Sequence, residues 1–204
     1  MKLYYAPGAC SIGIHVVLEE IGKPYETEAV NLREGAQYKD AFTSVNPKSK
    51  VPTLVRDDGA VQTEFPAIAY WLARTNPYSN LLPDNLDQQA RALELMDYCV
   101  ATIHMQGFAR MFRSANFTPN AADEDAVKAR GREIAEKGFA LMNKALEGKD
   151  YAVGPYTIAD SALFYVEFWA GRVGIPLPTN CAAHLDRMKA RPAVQRVLQQ
   201  EGLA

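Results

Sequence analysis

The chain has 204 residues, 48% of them hydrophobic and 23% charged, with a formal net charge of −2. That length holds one large or two small domains with buried cores, and the near-neutral charge excludes the electrostatic footprint of a nucleic-acid or anionic-membrane binder. No eighteen-residue apolar run or secretory leader pattern is visible, and the three cysteines, Cys10, Cys99 and Cys181, fit neither a disulfide framework nor a zinc spacing. A cytoplasmic protein without a metal is therefore expected.

Residues 2–5 read as a short apolar strand with Leu3 and Tyr5 on one face, stopped by Pro7-Gly8. Ile14, Val17, Leu18 and Ile21 then form a helical stripe that ends at Gly22, with Pro24 beyond. Cys10 falls at the junction of strand and helix. Unpaired N–H groups and the positive dipole end favour an anion there, and such places lower a thiol pKa from about 8.5 to roughly 3.5–7.5. Residues 25–29 alternate as a second strand, and 31–45 hold a polar loop with a short helix.

Pro52 stands at the entrance of a strand reaching Val55, a place where its missing N–H breaks no ladder bond. A cis Val51–Pro52 bond would turn the Val51 N–H and C=O outward, free to pair with an extended peptide. The turn Asp57-Asp58-Gly59 leads into another short strand at 60–62. A helix opens after Thr63-Glu64, with Pro66 in its first turn and Ile68, Trp71 and Leu72 expected to face inward.

Beyond a turn-rich linker at 77–85 no strand pattern survives. Leu86, Ala90, Leu93, Met96, Val100, Ile103 and Gly107 recur at helical spacing, as do Val127, Ile134, Gly138, Leu141 and Ala145. Thr157-x-x-Asp160 is a capping box ahead of an apolar helix at 161–170. A last helical segment, 181–198, is interrupted near Arg191-Pro192. The organisation expected is an α/β domain at 1–76 and an all-α domain at 86–204.

Taken in order, Cys10-Ser11, Asn46-Pro47-Lys48-x-Lys50-Val51-Pro52, Thr63-Glu64 and Tyr156-Thr157-Ile158-Ala159-Asp160 resemble a cytosolic glutathione transferase. A cysteine just past Pro-Gly, with a histidine inside a later long helix, is similar to the bacterial beta class. The resemblance spans nearly the whole chain. It implies a thioredoxin-like N-terminal domain that binds glutathione and an all-helical C-terminal domain that supplies most of the electrophile site.

In activity it implies attack of the glutathione thiolate on a hydrophobic electrophile, a detoxification chemistry run by a homodimer, with glutathione as cosubstrate and no separate cofactor. Cys10 and His104 would lie close to the glutathione sulfur. Ser11, Val51, Pro52, Glu64, Phe65, Asp97 and His104 would hold the tripeptide. Phe108, Met111, Phe112, Phe164, Tyr165 and Trp169 would line an acceptor cleft between the domains. Taken alone, Glu64 is simply a favourable acid in a first helical turn, and an aromatic at helical spacing is more often core than pocket.

Two other functions suit the same residues: a glutathione-dependent thiol–disulfide oxidoreductase and a non-catalytic ligand-binding relative. The sequence Cys10-Ser11-Ile12-Gly13 lacks a second cysteine, so only monothiol exchange with glutathione is open to it. His15 and His184 read as structural.

The chain also departs from the family pattern. Phe65-Pro66 follows Glu64 where a small hydroxyl or glycine is usual, removing a hydroxyl donor and an N–H from the γ-glutamyl carboxylate site. Glu34-Gly35-Ala36 replaces a loop lysine, leaving Arg33, Lys39 or Lys50 to supply positive charge. Ser49 stands where glycine is common, and Met105 where lysine often follows the histidine.

Overall fold

A computed structural model describes residues 1–204. They form two compact units, Met1–Leu82 together with Met188–Ala204, and Pro83–Arg187.

In the first unit, β1 (Lys2–Tyr5), α1 (Ser11–Ile21), β2 (Glu26–Ala29), α2 (Asp40–Thr43), β3 (Thr53–Val55), β4 (Val61–Thr63) and α3 (Phe65–Thr75) follow in order. The sheet runs β2-β1-β3-β4, with β1 parallel to β2 and antiparallel to β3, and β3 antiparallel to β4. This is the expected β-α-β, β-β-α order of a thioredoxin-like domain. Leu3 and Leu54 are paired across the two central strands and fully buried. Ile12, Ile14, Val17 and Leu18 of α1 and Ile68 and Leu72 of α3 are buried as well, and together these side chains form the unit's apolar core.

The edge strand β2 exposes all four side chains, and its Glu28 pairs with Lys2 at 2.5 Å. Charge on an edge discourages pairing with another chain. Trp71 corrects an expectation: it is only half-buried, with the Arg56 guanidinium 4.6 Å above its ring.

The expected boundaries at 77–85 and 86–204 also change. Leu81 is buried and residues through Leu82 group with the first unit, as does the C-terminal helix α9 (Pro192–Gln200; the preceding α8 is Thr179–Ala190). The reason lies on α9's two faces. Val194 and Val197 are buried, while Arg191 and Arg196 pair with Glu20 and Glu19 of α1 at 2.7 and 2.5 Å.

In the second unit, α4 (Leu86–Asp97) runs on through a wider π-type stretch, Tyr98–Phe108, into α5 (Ala109–Phe112). The Ala109 N–H reaches the His104 carbonyl five residues back, the mark of that wider turn. The expected buried stripe on this helix is shifted. Ala92, Leu95, Met96, Cys99 and Ile103 face the core, whereas Leu86 is 75% exposed and Leu93 and Val100 are half-covered. The helix carries apolar residues on two faces, and only one of them is covered within the unit.

The next helix, α6 (Glu124–Ala145), lies along the π-type stretch. Its buried face is Gly131, Ala135, Gly138, Phe139 and Met142, and Leu141 from the expected stripe is exposed. Close approach explains the two glycines. A Cβ on Gly131 would fall 2.6 Å from the Gly107 oxygen, and one on Gly138 would fall 2.5 Å from Ile103 Cγ1. The central helix α7 (Ile158–Arg172) is buried nearly all round, as its apolar composition requires. Its expected capping box is present: Ala159 N–H donates to Thr157 Oγ1 at 3.3 Å, and Thr157 N–H to Asp160 Oδ2 at 2.7 Å. No helix is long and apolar enough to cross a membrane.

Candidate active site

Cys10 is the N-cap of α1 and is partly exposed. Its turn is held by three side chains. Ser11 is fully buried, and its hydroxyl accepts from Ala6 N–H at 3.1 Å and lies 3.3 Å from the Ala6 carbonyl. Glu201, just past α9, accepts Gly8 N–H at 2.7 Å and pairs with buried His15 Nδ1 at 2.9 Å. Ser11 is therefore corrected from a ligand residue to a brace for the turn, since a hydroxyl committed to Ala6 in the interior cannot also meet a ligand. Glu201 had no signal in the sequence, because nothing local ties position 201 to position 8.

Opposite this turn, the Val51–Pro52 peptide bond is cis, and the Cys10 thiol donates to the Val51 carbonyl at 3.4 Å. The loop before it is built on Asn46, which is buried and uses all its polar atoms. Its Nδ2 donates to the Lys50 carbonyl and to Thr53 Oγ1, each at 2.8 Å, and its Oδ1 accepts from Lys48 N–H at 3.0 Å. Ser49 has φ +56°, which accounts for the glycine common at this place.

Glu64 is the N-cap of α3, with φ +70° and an exposed side chain. A glutamate held there is a costly conformation of the kind found at functional sites. The Lys48 ammonium lies 2.8 Å from Glu64 Oε1 and 2.9 Å from Thr63 Oγ1. Lys48 is thus the cation beside Glu64. Phe65 has a buried side chain, 4% exposed, and so offers no side-chain group to a ligand. Pro52 is buried as well.

In the helical unit, His104 is half-buried with its ring 4.7 Å from Trp169, and its Nδ1 is 3.3 Å from the Tyr165 hydroxyl. Phe108 and Phe112 join the same aromatic group, each with its ring 5.4 Å from Trp169. Two expected members are not in it. Phe164 is fully buried with its ring beside Phe168, and the Met111 side chain is turned towards Gly131 on α6. Asp97 is exposed at the end of α4.

The other cysteines are inert by environment. Cys99 and Cys181 are fully buried, and desolvation, followed by the nearby Glu167 carboxylate, pushes both thiols well above their usual range. Around Cys181 lies a buried polar cluster that the sequence did not disclose. His184 joins Glu167 at 2.7 Å to Asp160 at 3.2 Å. Desolvation raises the Glu167 carboxyl to about 7, against the pull of His184. Desolvation alone would lower His184, but the two carboxylates outweigh it and raise the imidazole to about 9.

Residues 8–75 match the glutathione S-transferase N-terminal domain family. Over their full lengths, the chain is 38% identical to the glutathione S-transferase GstA of Escherichia coli O157:H7. Among solved structures, it resembles a sphingomonad glutathione S-transferase complexed with glutathione, at 34% identity and a TM-score of 0.85 over all of both chains. A bacterial beta class glutathione S-transferase from Sphingomonas chungbukensis matches at 33% identity and a TM-score of 0.85, again over both whole chains. With the thioredoxin-like sheet, the cis Val51–Pro52 bond and Cys10 at the α1 N-terminus, these likenesses lead to one conclusion: the chain belongs to the glutathione S-transferase family.

Proposed function

We propose that this transferase, of the bacterial beta type, joins the sulfur of reduced glutathione to small hydrophobic electrophiles. The observation that carries the reading is the grouping of Cys10, Val51 and Lys48–Glu64 at one end of the thioredoxin-like sheet, where β1 and β4 finish and β3 begins. Val51 offers the backbone for pairing with the cysteinyl residue of an extended peptide. Glu64 offers a carboxylate for the γ-glutamyl ammonium. The α1 N-terminus favours an anionic sulfur beside Cys10.

In the reaction the glutathione thiol loses its proton to solvent or a nearby base. The thiolate then attacks the electrophilic carbon, forming a C–S bond as a leaving group departs with the bonding pair. Each unit by which the protein lowers the thiol pKa is worth about 1.4 kcal/mol in favour of the thiolate. The aromatic group of Phe108, Phe112, Tyr165 and Trp169 beside His104 suits apolar acceptors.

Thiol–disulfide exchange is a second activity favoured by one observation: Cys10 is the cysteine that is not buried. Its thiolate would displace one sulfur of a glutathione disulfide, forming a mixed disulfide and releasing glutathione thiolate. We place the protein in the cytoplasm, acting on xenobiotic electrophiles as a homodimer. The apolar side chains of Leu86, which is exposed, and of Leu93 and Val100, which are only half-covered, support the homodimer. Conjugation and disulfide-exchange rates measured on one preparation test the assignment. Conjugation faster than exchange is expected, and exchange without conjugation would replace it with the oxidoreductase reading.

A further inference from the structure

An α-amino acid end such as the γ-glutamyl group carries an ammonium and a carboxylate on one carbon. A site that reads it needs an acceptor and a donor a few ångströms apart. Here Glu64 is an acceptor, but the residues after it supply no side-chain donor: the Phe65 ring is buried and Pro66 has no N–H. Lys48 lies against that gap. Its ammonium bonds Glu64 Oε1 at 2.8 Å and Thr63 Oγ1 at 2.9 Å, which uses two of its three N–H groups.

The lysine is also held in place from below. Buried Asn46 accepts the Lys48 N–H and ties down the Lys50 carbonyl, and Ser49 takes the left-handed backbone that turns the loop. The ammonium projects from a braced loop onto the α3 N-cap, and the pair is half-exposed, with side-chain accessibilities of 53% and 58%.

We propose that Lys48 is a specificity-determining residue, binding the α-carboxylate of the γ-glutamyl group while Glu64 binds its α-ammonium. This rests on the glutathione reading given above. Entry of the zwitterion exchanges one Lys48–Glu64 ion pair for two pairs with the ligand, and no charge is left unpartnered. A peptide that lacks either charge still separates the pair but satisfies only one member, so the site discriminates against both kinds of analogue.

Calorimetry on the full chain tests this with three peptides: glutathione, glutaryl-Cys-Gly, which lacks the amino group, and γ-aminobutyryl-Cys-Gly, which lacks the α-carboxylate. Lys48→Gln should weaken glutathione by about tenfold or more and leave γ-aminobutyryl-Cys-Gly bound as tightly as before or more tightly, while Lys48→Arg keeps most of the affinity for glutathione. Glu64→Gln should show the mirror pattern, losing glutathione but not glutaryl-Cys-Gly. Unaltered thermal unfolding of Lys48→Gln is expected for a half-exposed side chain. Glutathione binding by Lys48→Gln that is as tight as wild type, or tighter, would overturn the proposal and make Lys48 a counter-ion that merely competes for Glu64. An equal loss for both Lys48-tested peptides would overturn it too. Wild-type protein that binds no glutathione would instead bring down the glutathione reading itself, and this proposal with it.

Discussion

The Cys10 thiol donates a hydrogen bond to the Val51 carbonyl, with sulfur and oxygen 3.4 Å apart. That carbonyl is an acceptor which an extended peptide lying along Val51 would use, so peptide and thiol share one partner. Incubation with oxidised glutathione should therefore add one glutathionyl group per chain, mapped to Cys10. Cys99 and Cys181 stay unlabelled, because both are buried and their thiols are held above the usual range. Label on Cys181 with Cys10 unmodified would remove Cys10 as the reactive thiol.

Glu64 is exposed at the start of α3, and its carboxylate is available to a cationic ligand group once Lys48 is displaced. Glu64→Ala is expected to weaken glutathione binding by roughly 1–3 kcal/mol, the cost of leaving the ammonium without its partner. Folding should be little affected, as no side-chain cap is lost with it. Unchanged affinity by calorimetry would exclude Glu64 from the site.

The buried cluster Asp160–His184–Glu167 makes stability depend on pH. His184 is raised to about 9 and Glu167 to about 7, so the folded chain holds more protons than the unfolded one between about pH 4.5 and 9. Stability from the cluster is then fully present at the acid side of that window and falls as pH rises through it. Urea unfolding at pH 6 and pH 9 should show the decline in wild type and a much smaller one in the double variant Glu167→Gln/His184→Gln, which removes both titrating groups. Equal declines in both proteins would separate the cluster from the effect.

Gly131 on α6 meets the Gly107 carbonyl, where a Cβ would fall 2.6 Å from the oxygen. Gly131→Ala forces backbone apart rather than a flexible side chain and should cost about 1–3 kcal/mol, despite alanine's better helix propensity. A gain in stability by chemical denaturation would show that α6 approaches the Tyr98–Phe108 stretch less closely.

The order of strands and helices was legible because it is written in local signals. Pro7-Gly8 ends β1, Gly22 ends α1, Pro52 opens β3, and Thr157-x-x-Asp160 starts α7. What escaped the sequence depends on distant partners. Two apolar faces run along α4, and periodicity alone could not say that Ala92, Leu95 and Met96, rather than Leu86 and Leu93, would be covered. The π-type turn around His104 has no residue signature here. Cys10, Val51 and Glu64 were readable at their places, but Lys48 was found only once the loop braced by Asn46 brought its ammonium to Glu64. Ser11 shows the same limit: spacing marks a position, and only packing shows that its hydroxyl is committed to Ala6.

Steady-state conjugation of glutathione to an activated aryl chloride, followed by release of chloride and appearance of the thioether, tests the central claim most directly. Wild-type protein should accelerate the reaction well beyond the uncatalysed rate and saturate with glutathione, and Glu64→Ala should raise the glutathione concentration needed for half-saturation. Folded protein that binds no glutathione and leaves the uncatalysed rate unchanged would contradict the account.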